Sequence, residues 1–340
     1  MAATKKRSDG GAGCKAGSGK AEAGGLKCRG FLIHMTHYDP AWNKLKDQEE
    51  RYDKETALDA ASAAARAGMN LLIVDVKDAV VYRRLPELRR RYSVPMDELV
   101  EIAERAKELG LEVVPKMNFS LSPQHRHSQW FEPHQSSPPS RDFWRRGLAA
   151  VDEVVDAVKP RIVHVGMDED DTRSPEEYRE DLLRLHRELD RRGLRMAMWA
   201  DVCHRWRAQQ RWKEIPAIQS LPRDVILMPW HYGEAPREWI ERLVGWGFEV
   251  VGAAGCWLKK PRRPKDRDPL ENTRAWASAI RELGGAGVVV TNWMKCSRDN
   301  RATILRTIRL CGPILLGEGG DSNKTAAGKR NAARKNAGAD

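Results

Sequence analysis

Residues 161–201 read RIVHVGMDEDDTRSPEEYREDLLRLHRELDRRGLRMAMWAD, and this stretch sets the fold reading. It opens on a short apolar run, Ile162–Gly166, and closes on another, Arg195–Ala200. Near-continuous apolar runs of this length suit strands buried on both faces, as in a parallel sheet. Between them, Pro175–Arg192 carries apolar residues at helical spacing. Ser174-Pro175-Glu176-Glu177 supplies an N-cap, a proline at the first helical position and acids in the first turn, and Gly193 stands where a helix-terminating glycine belongs.

The same strand–helix unit recurs outward in both directions. Further apolar runs are Gly30–Thr36, Leu71–Val76, Glu112–Met117, Val225–Pro229, Glu249–Ala253 and Gly287–Thr291. Helical patterns follow at Lys54–Ala67, Met96–Leu109, Arg141–Val158, Glu238–Trp246, Leu270–Leu283 and Arg301–Leu310, with Gly68, Gly110 and Gly247 as stops. The helix after Asp201, around Cys203–Trp212, has no readable ends. Eight strand–helix units over residues 28–319 predict an α/β fold of the (β/α)8 TIM-barrel type. The alternative, a doubly wound open sheet, usually carries a glycine-rich phosphate turn after its first strand. Here that turn is Met35-Thr36-His37-Tyr38-Asp39-Pro40, which lacks glycine.

The formal net charge is +11. Residues 1–27 carry +4 and residues 320–340 carry +3, leaving +4 on the barrel span. Both ends are rich in Gly, Ala, Ser, Lys and Asn and read as disordered basic tails flanking one catalytic domain. No nucleic-acid partner is expected. No apolar run reaches 18 residues, so no membrane partner is expected either. No apolar stretch follows Lys5, Lys6 and Arg7, so no signal peptide is read. The six cysteines, Cys14, Cys28, Cys203, Cys256, Cys296 and Cys311, form no C-x-x-C pair. They read as ordinary thiols of a cytoplasmic protein, and oligomeric state is left open.

Chemistry in such a barrel gathers at the C-terminal ends of the strands. Strands five to eight each finish near a tryptophan: Trp199, Trp230, Trp257 and Trp293. Indole faces stack on the C–H faces of a sugar ring, and nearby polar groups bond its hydroxyls. The polar candidates are His37, Asp75, Asn118, His164, Asp201 and Tyr232. Together these residues predict a carbohydrate substrate site. Asp168-Glu169-Asp170 is the densest acidic cluster at any strand end. Alternation along strand four turns His164, Gly166 and Asp168 to the barrel axis, and Val163, Val165 and Met167 to the helices. Glycoside hydrolysis needs an acid for the leaving oxygen and a second group for the cationic centre, which makes Asp168 and Glu169 the catalytic candidates.

His164-Val165-Gly166-Met167-Asp168-Glu169 resembles the His-x-Gly-Gly-Asp-Glu signature of glycoside hydrolase family 20, the β-N-acetylhexosaminidases. Looser matches follow in the same order: Arg29-Gly30, Met198-Trp199-Ala200-Asp201 and Trp230-His231-Tyr232-Gly233. The resemblance implies substrate-assisted retaining hydrolysis, in which the 2-acetamido oxygen of the sugar replaces a protein nucleophile. It implies Glu169 as general acid/base and Asp168 as the group that orients the acetamido N–H. It also implies Tyr232 on the acetamido oxygen and Trp199, Trp230 and Trp293 as walls, and it calls for no cofactor. This chain departs from the pattern at Met167, where a second glycine is usual, and at His37, which takes the place of a strand-one arginine. Strand three offers Asn118-Phe119 and then His125 and His127 instead of Pro-Gly-His. No late-strand glutamate stands out, and no extra N-terminal domain is read.

Two other function classes compete. A metal-dependent barrel hydrolase or isomerase would use His34, His37, Asp75, His164 and His231 as ligands. His34 and His37 point to opposite faces of a strand, though, and no complete ligand set emerges. A non-catalytic carbohydrate-binding barrel would keep the tryptophans and leave Glu169 idle. The basic run Lys259–Lys265 reads either as a solvated loop or as a contact for an anionic saccharide.

Overall fold

The computed structural model describes residues 25–37, 48–122, 139–204, 208–255 and 269–318. Trp257, His125, His127, Lys259–Lys265, residues 1–24 of the N-terminal tail and the whole C-terminal tail lie outside the described residues. Eight parallel strands close into a barrel in chain order. They are β1 Cys28–His34, β2 Leu71–Asp75, β3 Glu112–Lys116, β4 Ile162–His164, β5 Arg195–Ala200, β6 Ile226–His231, β7 Glu249–Gly255 and β8 Gly287–Lys295. Each is followed by a helix: α1 Lys54–Arg66, α2 Met96–Glu108, α3 Arg141–Val158, α4 Pro175–Arg191, α5 Ala208–Ser220, α6 Arg237–Gly245, α7 Pro269–Glu282 and α8 Arg298–Leu316. The (β/α)8 expectation therefore holds, and the open-sheet alternative falls.

Strand parity divides the apolar core into two layers. Leu32, Ile73, Val114, Ile162, Ile226, Val251 and Val289 fill the lumen. Phe31, Ile33, Leu72, Val74, Val113, Val163, Leu227, Val250, Val288 and Val290 pack outward against the helices. Burial of each such side chain stabilises by about 1.5–3 kcal/mol, so neither face of any strand tolerates polarity without a partner. The helices start as their sequences specify. Asp53 caps α1 at Thr56, Ser140 caps α3, and Ser174 with Glu177 forms a reciprocal capping box on α4. Gly68, Gly110, Gly193 and Gly247 all take left-handed φ, as their reading as helix stops requires.

The element that resisted sequence reading, α5, runs from Ala208 to Ser220 and contains Pro216. Proline removes an internal helix bond, which blurs the periodicity. Trp199 sits in its strand as read, whereas Trp230 and Trp293 fall inside strands read as ending before them. Trp199 and Trp230 are the next-to-last residues of β5 and β6, and Trp293 lies within β8, which runs four residues past the expected Thr291. No helix of the described residues is long and apolar enough to cross a membrane. The four cysteines among them, Cys28, Cys203, Cys296 and Cys311, are buried free thiols.

Candidate active site

The turn after β4 builds the centre of the mouth. Gly166, Met167 and Glu169 all have positive φ, at 72°, 72° and 51°. For a non-glycine residue this conformation costs roughly 1–2 kcal/mol, so Met167 and Glu169 need compensation. Met167 has it: its side chain is fully buried in the helix-facing layer, its N–H donates to Asn118 Oδ1 at 3.3 Å, and its carbonyl accepts from Tyr178 Oη at 2.9 Å. Apolar burial explains a methionine where the family signature has glycine. Val163, Val165 and Met167 face the helices as parity predicted.

Asp168 and Glu169 crown this turn, 3% and 8% exposed. Asn118, just past β3, donates from Nδ2 to Asp168 Oδ1 at 2.8 Å. Its Oδ1 is held in turn by the Ser120 N–H at 2.9 Å and the Ser120 hydroxyl at 2.7 Å. Asn118 is therefore an orienting group for Asp168. Gly166 allows this arrangement, because a Cβ there would collide with the Asn118 side chain. Gly166→Ala is expected to cost about 2–4 kcal/mol from the positive φ and the clash. It is also expected to lower turnover by displacing Asn118 from Asp168. Urea unfolding and steady-state kinetics on the same variant check both effects.

The third acid of the cluster does not belong to the mouth. Asp170 is fully buried and accepts from Leu121 N–H at 2.7 Å, Arg173 N–H at 3.1 Å and Lys213 Nζ at 2.9 Å. It also pairs with Arg173 Nη1. Burial alone would raise its carboxyl, but Arg173 and Lys213 hold it below the usual range.

Asp201, immediately after β5, completes the acidic group. Its Oδ2 accepts from the Glu169 N–H at 2.7 Å and its Oδ1 from Trp230 Nε1–H at 2.7 Å. Its own N–H donates to Glu214 Oε1 at 2.9 Å. Burial, then the charges of Asp168 and Glu169, push the Asp201 carboxyl up to about 8. Burial and Asp201 likewise push Glu214 well above the carboxylate range. Sequence reasoning missed Glu214, which lies on the helix it could not place.

Aromatic rings form a connected row that reaches the acids at Trp230. His164 and Trp199 have centroids 4.4 Å apart, Trp199 and Trp293 6.0 Å, Trp293 and Tyr232 6.4 Å, and Tyr232 and Trp230 5.2 Å. Trp199 is 1% exposed and Trp230 8%, so these two form floor and back wall, while Trp293 and Tyr232 remain partly exposed at the rim.

Beneath the mouth runs a buried polar row that joins three of the residues weighed as metal ligands to Lys116, which sequence reading did not single out. His34, Asp75, Lys116 and His164 are register partners across β1 to β4, and all are fully buried. Asp75 Oδ2 lies 2.8 Å from His34 Nδ1, 3.4 Å from Lys77 Nζ and 3.5 Å from Lys116 Nζ. Burial would raise Asp75, but Lys116, Lys77 and the His34 bond hold it well below the usual range. Asp75 is thus committed inside the barrel, against its expected role on substrate hydroxyls. It is paired instead with Lys77, just past its own strand, and with Lys116 of the neighbouring strand. His37 is half-buried; its backbone N–H donates to Glu49 Oε1 at 2.7 Å and its ring Nδ1 lies 3.3 Å from the same oxygen.

His164 Nδ1 accepts from the Gly166 N–H at 3.0 Å, which places the ring proton on Nε2. Burial and Lys116 lower His164 to about 3. Burial, against the pull of Asp75, lowers His34 to about 4. Both imidazoles stay neutral in the fold but gain protons below about 6.5 when unfolded. Each contribution to stability is therefore present above pH 6.5 and is lost as pH falls toward the folded value. At pH 5 the loss is roughly 2 kcal/mol per group. The stability gap between wild type and His164→Gln is expected to shrink by that amount from pH 7 to pH 5 in urea titrations. A constant gap would remove the neutral-imidazole account. Among the described residues no group of three or more His, Cys, Asp or Glu is arranged to hold a metal ion.

No protein-family model and no curated protein matches the sequence. Solved structures do match the fold. Dispersin B aligns with a TM-score of 0.56 and 15% identity over 86% of this chain and 98% of its own. A mutant β-hexosaminidase of Streptomyces plicatus, in complex with the product GlcNAc, aligns at 0.63 and 11% over 86% and 64%. A family 20 exo-β-N-acetylglucosaminidase of Vibrio harveyi, in complex with N-acetylglucosamine, aligns at 0.59 and 15% over 86% and 54%. This chain therefore spans less than two thirds of the last two proteins. At these identities the likeness is one of fold, the closed (β/α)8 barrel.

Proposed function

We propose that this chain is a glycoside hydrolase that releases β-linked N-acetylhexosamine-type sugars by a retaining, substrate-assisted mechanism. One observation carries the reading. Asp168, anchored by Asn118, stands beside Glu169 at the top of β4, and the row Trp199–Trp293–Tyr232–Trp230 meets this turn at Asp201, which bonds both the Glu169 N–H and Trp230 Nε1–H. The rings stack on the pyranose and confine its acetamido group. Asp168 accepts the acetamido N–H and turns the acetamido oxygen toward C1. That oxygen attacks C1 as Glu169 gives its proton to the departing oxygen, leaving a bicyclic oxazolinium. Glu169, now a carboxylate, takes a proton from water as the water opens that ring with retention. Asp168 in a nearly dry site stabilises the positive charge that develops, and a pre-aimed charge of this kind is worth more there than in water. His164, beneath Trp199, acts as a scaffold for the floor.

The test is a panel of chromogenic glycosides containing β-GlcNAc, β-GalNAc and their 2-hydroxy counterparts. Cleavage confined to the 2-acetamido sugars is the expected result. Cleavage of the 2-hydroxy sugars at comparable rates would eliminate substrate assistance. Binding of N-acetylglucosamine with no turnover of any member would favour the binding-only barrel.

A further inference from the structure

We infer that Asp201 is a positioning residue that brackets the Glu169 backbone and the Trp230 indole, fixing the acid/base and one sugar-facing wall as a single unit. The inference deepens the proposed function and rests on its reading of Glu169. Sequence alone made Asp201 a sugar-hydroxyl contact, but its side chain is fully buried. Each of its two oxygens is taken by a protein donor at 2.7 Å, Oδ2 by the Glu169 N–H and Oδ1 by Trp230 Nε1–H. The first bond holds the amide of a residue at φ 51°, where a non-glycine backbone stays only if its surroundings enforce it. The second crosses from β5 to β6 and sets the angle of the indole.

Behind Asp201, its own N–H is tied to Glu214 Oε1 on α5, so the bracket is itself braced from the helix layer. Only a carboxyl fills this role at this size. Asparagine has one acceptor oxygen, and its amide nitrogen would face an N–H donor head-on. The charged and titratable neighbours are Asp168 and Glu169 on the β4 turn, Glu214 on α5, Cys203 on the same turn and Tyr178 on α4. Lys213, beside Glu214, is committed to Asp170. An almost wholly acidic, buried setting explains why this carboxyl keeps its proton to about pH 8.

The test uses full-length wild type, Asp201→Asn, Asp201→Ser and Trp230→Phe, alone and combined with Glu169→Gln. Two readouts need no turnover. Exchange of the Glu169 amide, followed with 15N-glutamate label, is expected to be at least tenfold faster in both Asp201 variants and unchanged in Trp230→Phe. Indole fluorescence is expected to inflect near pH 8 in wild type and to lose that step in Asp201→Asn and in Trp230→Phe. For turnover of the β-GlcNAc substrate, kcat is expected to fall about 100-fold in Asp201→Asn with little change in KM. Little further fall is expected when Glu169 is already glutamine. Unchanged amide exchange in both Asp201 variants, or an equal loss of rate in the Glu169→Gln background, would overturn the inference. If wild type cleaves nothing on the panel, the glycosidase reading falls, while exchange and fluorescence still decide whether Asp201 is the bracket.

Discussion

Glu169→Gln is expected to lower kcat on an unactivated 2-acetamido glycoside by about 10²–10⁴-fold, the usual range for one general acid/base. The substitution is nearly isosteric. The Glu169 N–H that donates to Asp201 belongs to the backbone, so the turn should survive. What disappears is the transferable proton. Two further observations separate this chemistry from a folding defect. The melting temperature should stay within a few degrees of wild type, since glutamine matches the size of the buried side chain and the backbone bond to Asp201 is kept. The rate loss should also shrink for aryl glycosides with acidic leaving groups, because a phenolate of low basicity needs less protonation as it departs. A variant that loses unactivated and activated substrates equally would point to misplacement of substrate rather than to a missing proton. A variant that keeps wild-type kcat would take the acid role away from Glu169.

Much of this site was legible because strand parity is a local property. The alternation Val163, His164, Val165 by itself distinguishes inside from outside, and the two core layers agree with it. The Ser174-Pro175-Glu176-Glu177 cap was equally local, and it fixes where α4 begins. What escaped was set by register between strands distant in sequence. His34, Asp75, Lys116 and His164 become neighbours only when β1 to β4 align, and nothing in the apolar run around Lys116 announces its partner. Parity still places Met167 on the helix side, but it gives no guide to the acids that follow, of which Asp168 is held by Asn118 while Asp170 turns into the buried cluster with Arg173 and Lys213. Glu214 was hidden differently, on a helix whose proline weakens its pattern. The placement of tryptophans at strand ends suggested walls of a sugar pocket, yet Trp199 is 1% exposed, because its position within β5 puts it a layer deeper than Trp293 and Tyr232.

Asp170→Asn is expected to show the opposite pattern from Glu169→Gln: a large loss of stability and a small loss of rate. Asp170 is the shared anion of a buried cluster in which Arg173 also bonds Asp181 at 2.7 Å and donates from Nη2 to the Phe119 carbonyl at 3.1 Å. Removing its charge leaves the Arg173 guanidinium and the Lys213 ammonium without their common partner inside the protein. Breaking one member of such a cluster costs about 3–5 kcal/mol, chiefly through the buried charge left uncompensated. For a chain of this size that corresponds to roughly a 5–15 °C fall in melting temperature. The pH dependence carries a sign as well. Asp170 has its carboxyl held below the usual value, so its contribution is present above about pH 4 and is lost as pH falls through the folded value. Acid should therefore narrow the gap between wild type and Asp170→Asn. Because the cluster ties Leu121, just past β3, to the β4 turn and α5, its loss should loosen the mouth without removing any reacting group. Turnover measured well below the new melting point is expected to stay within about tenfold of wild type, far above Glu169→Gln. If Asp170→Asn instead melts like wild type and loses turnover as completely as Glu169→Gln, the division between the two acids fails, and Asp170 acts in the chemistry.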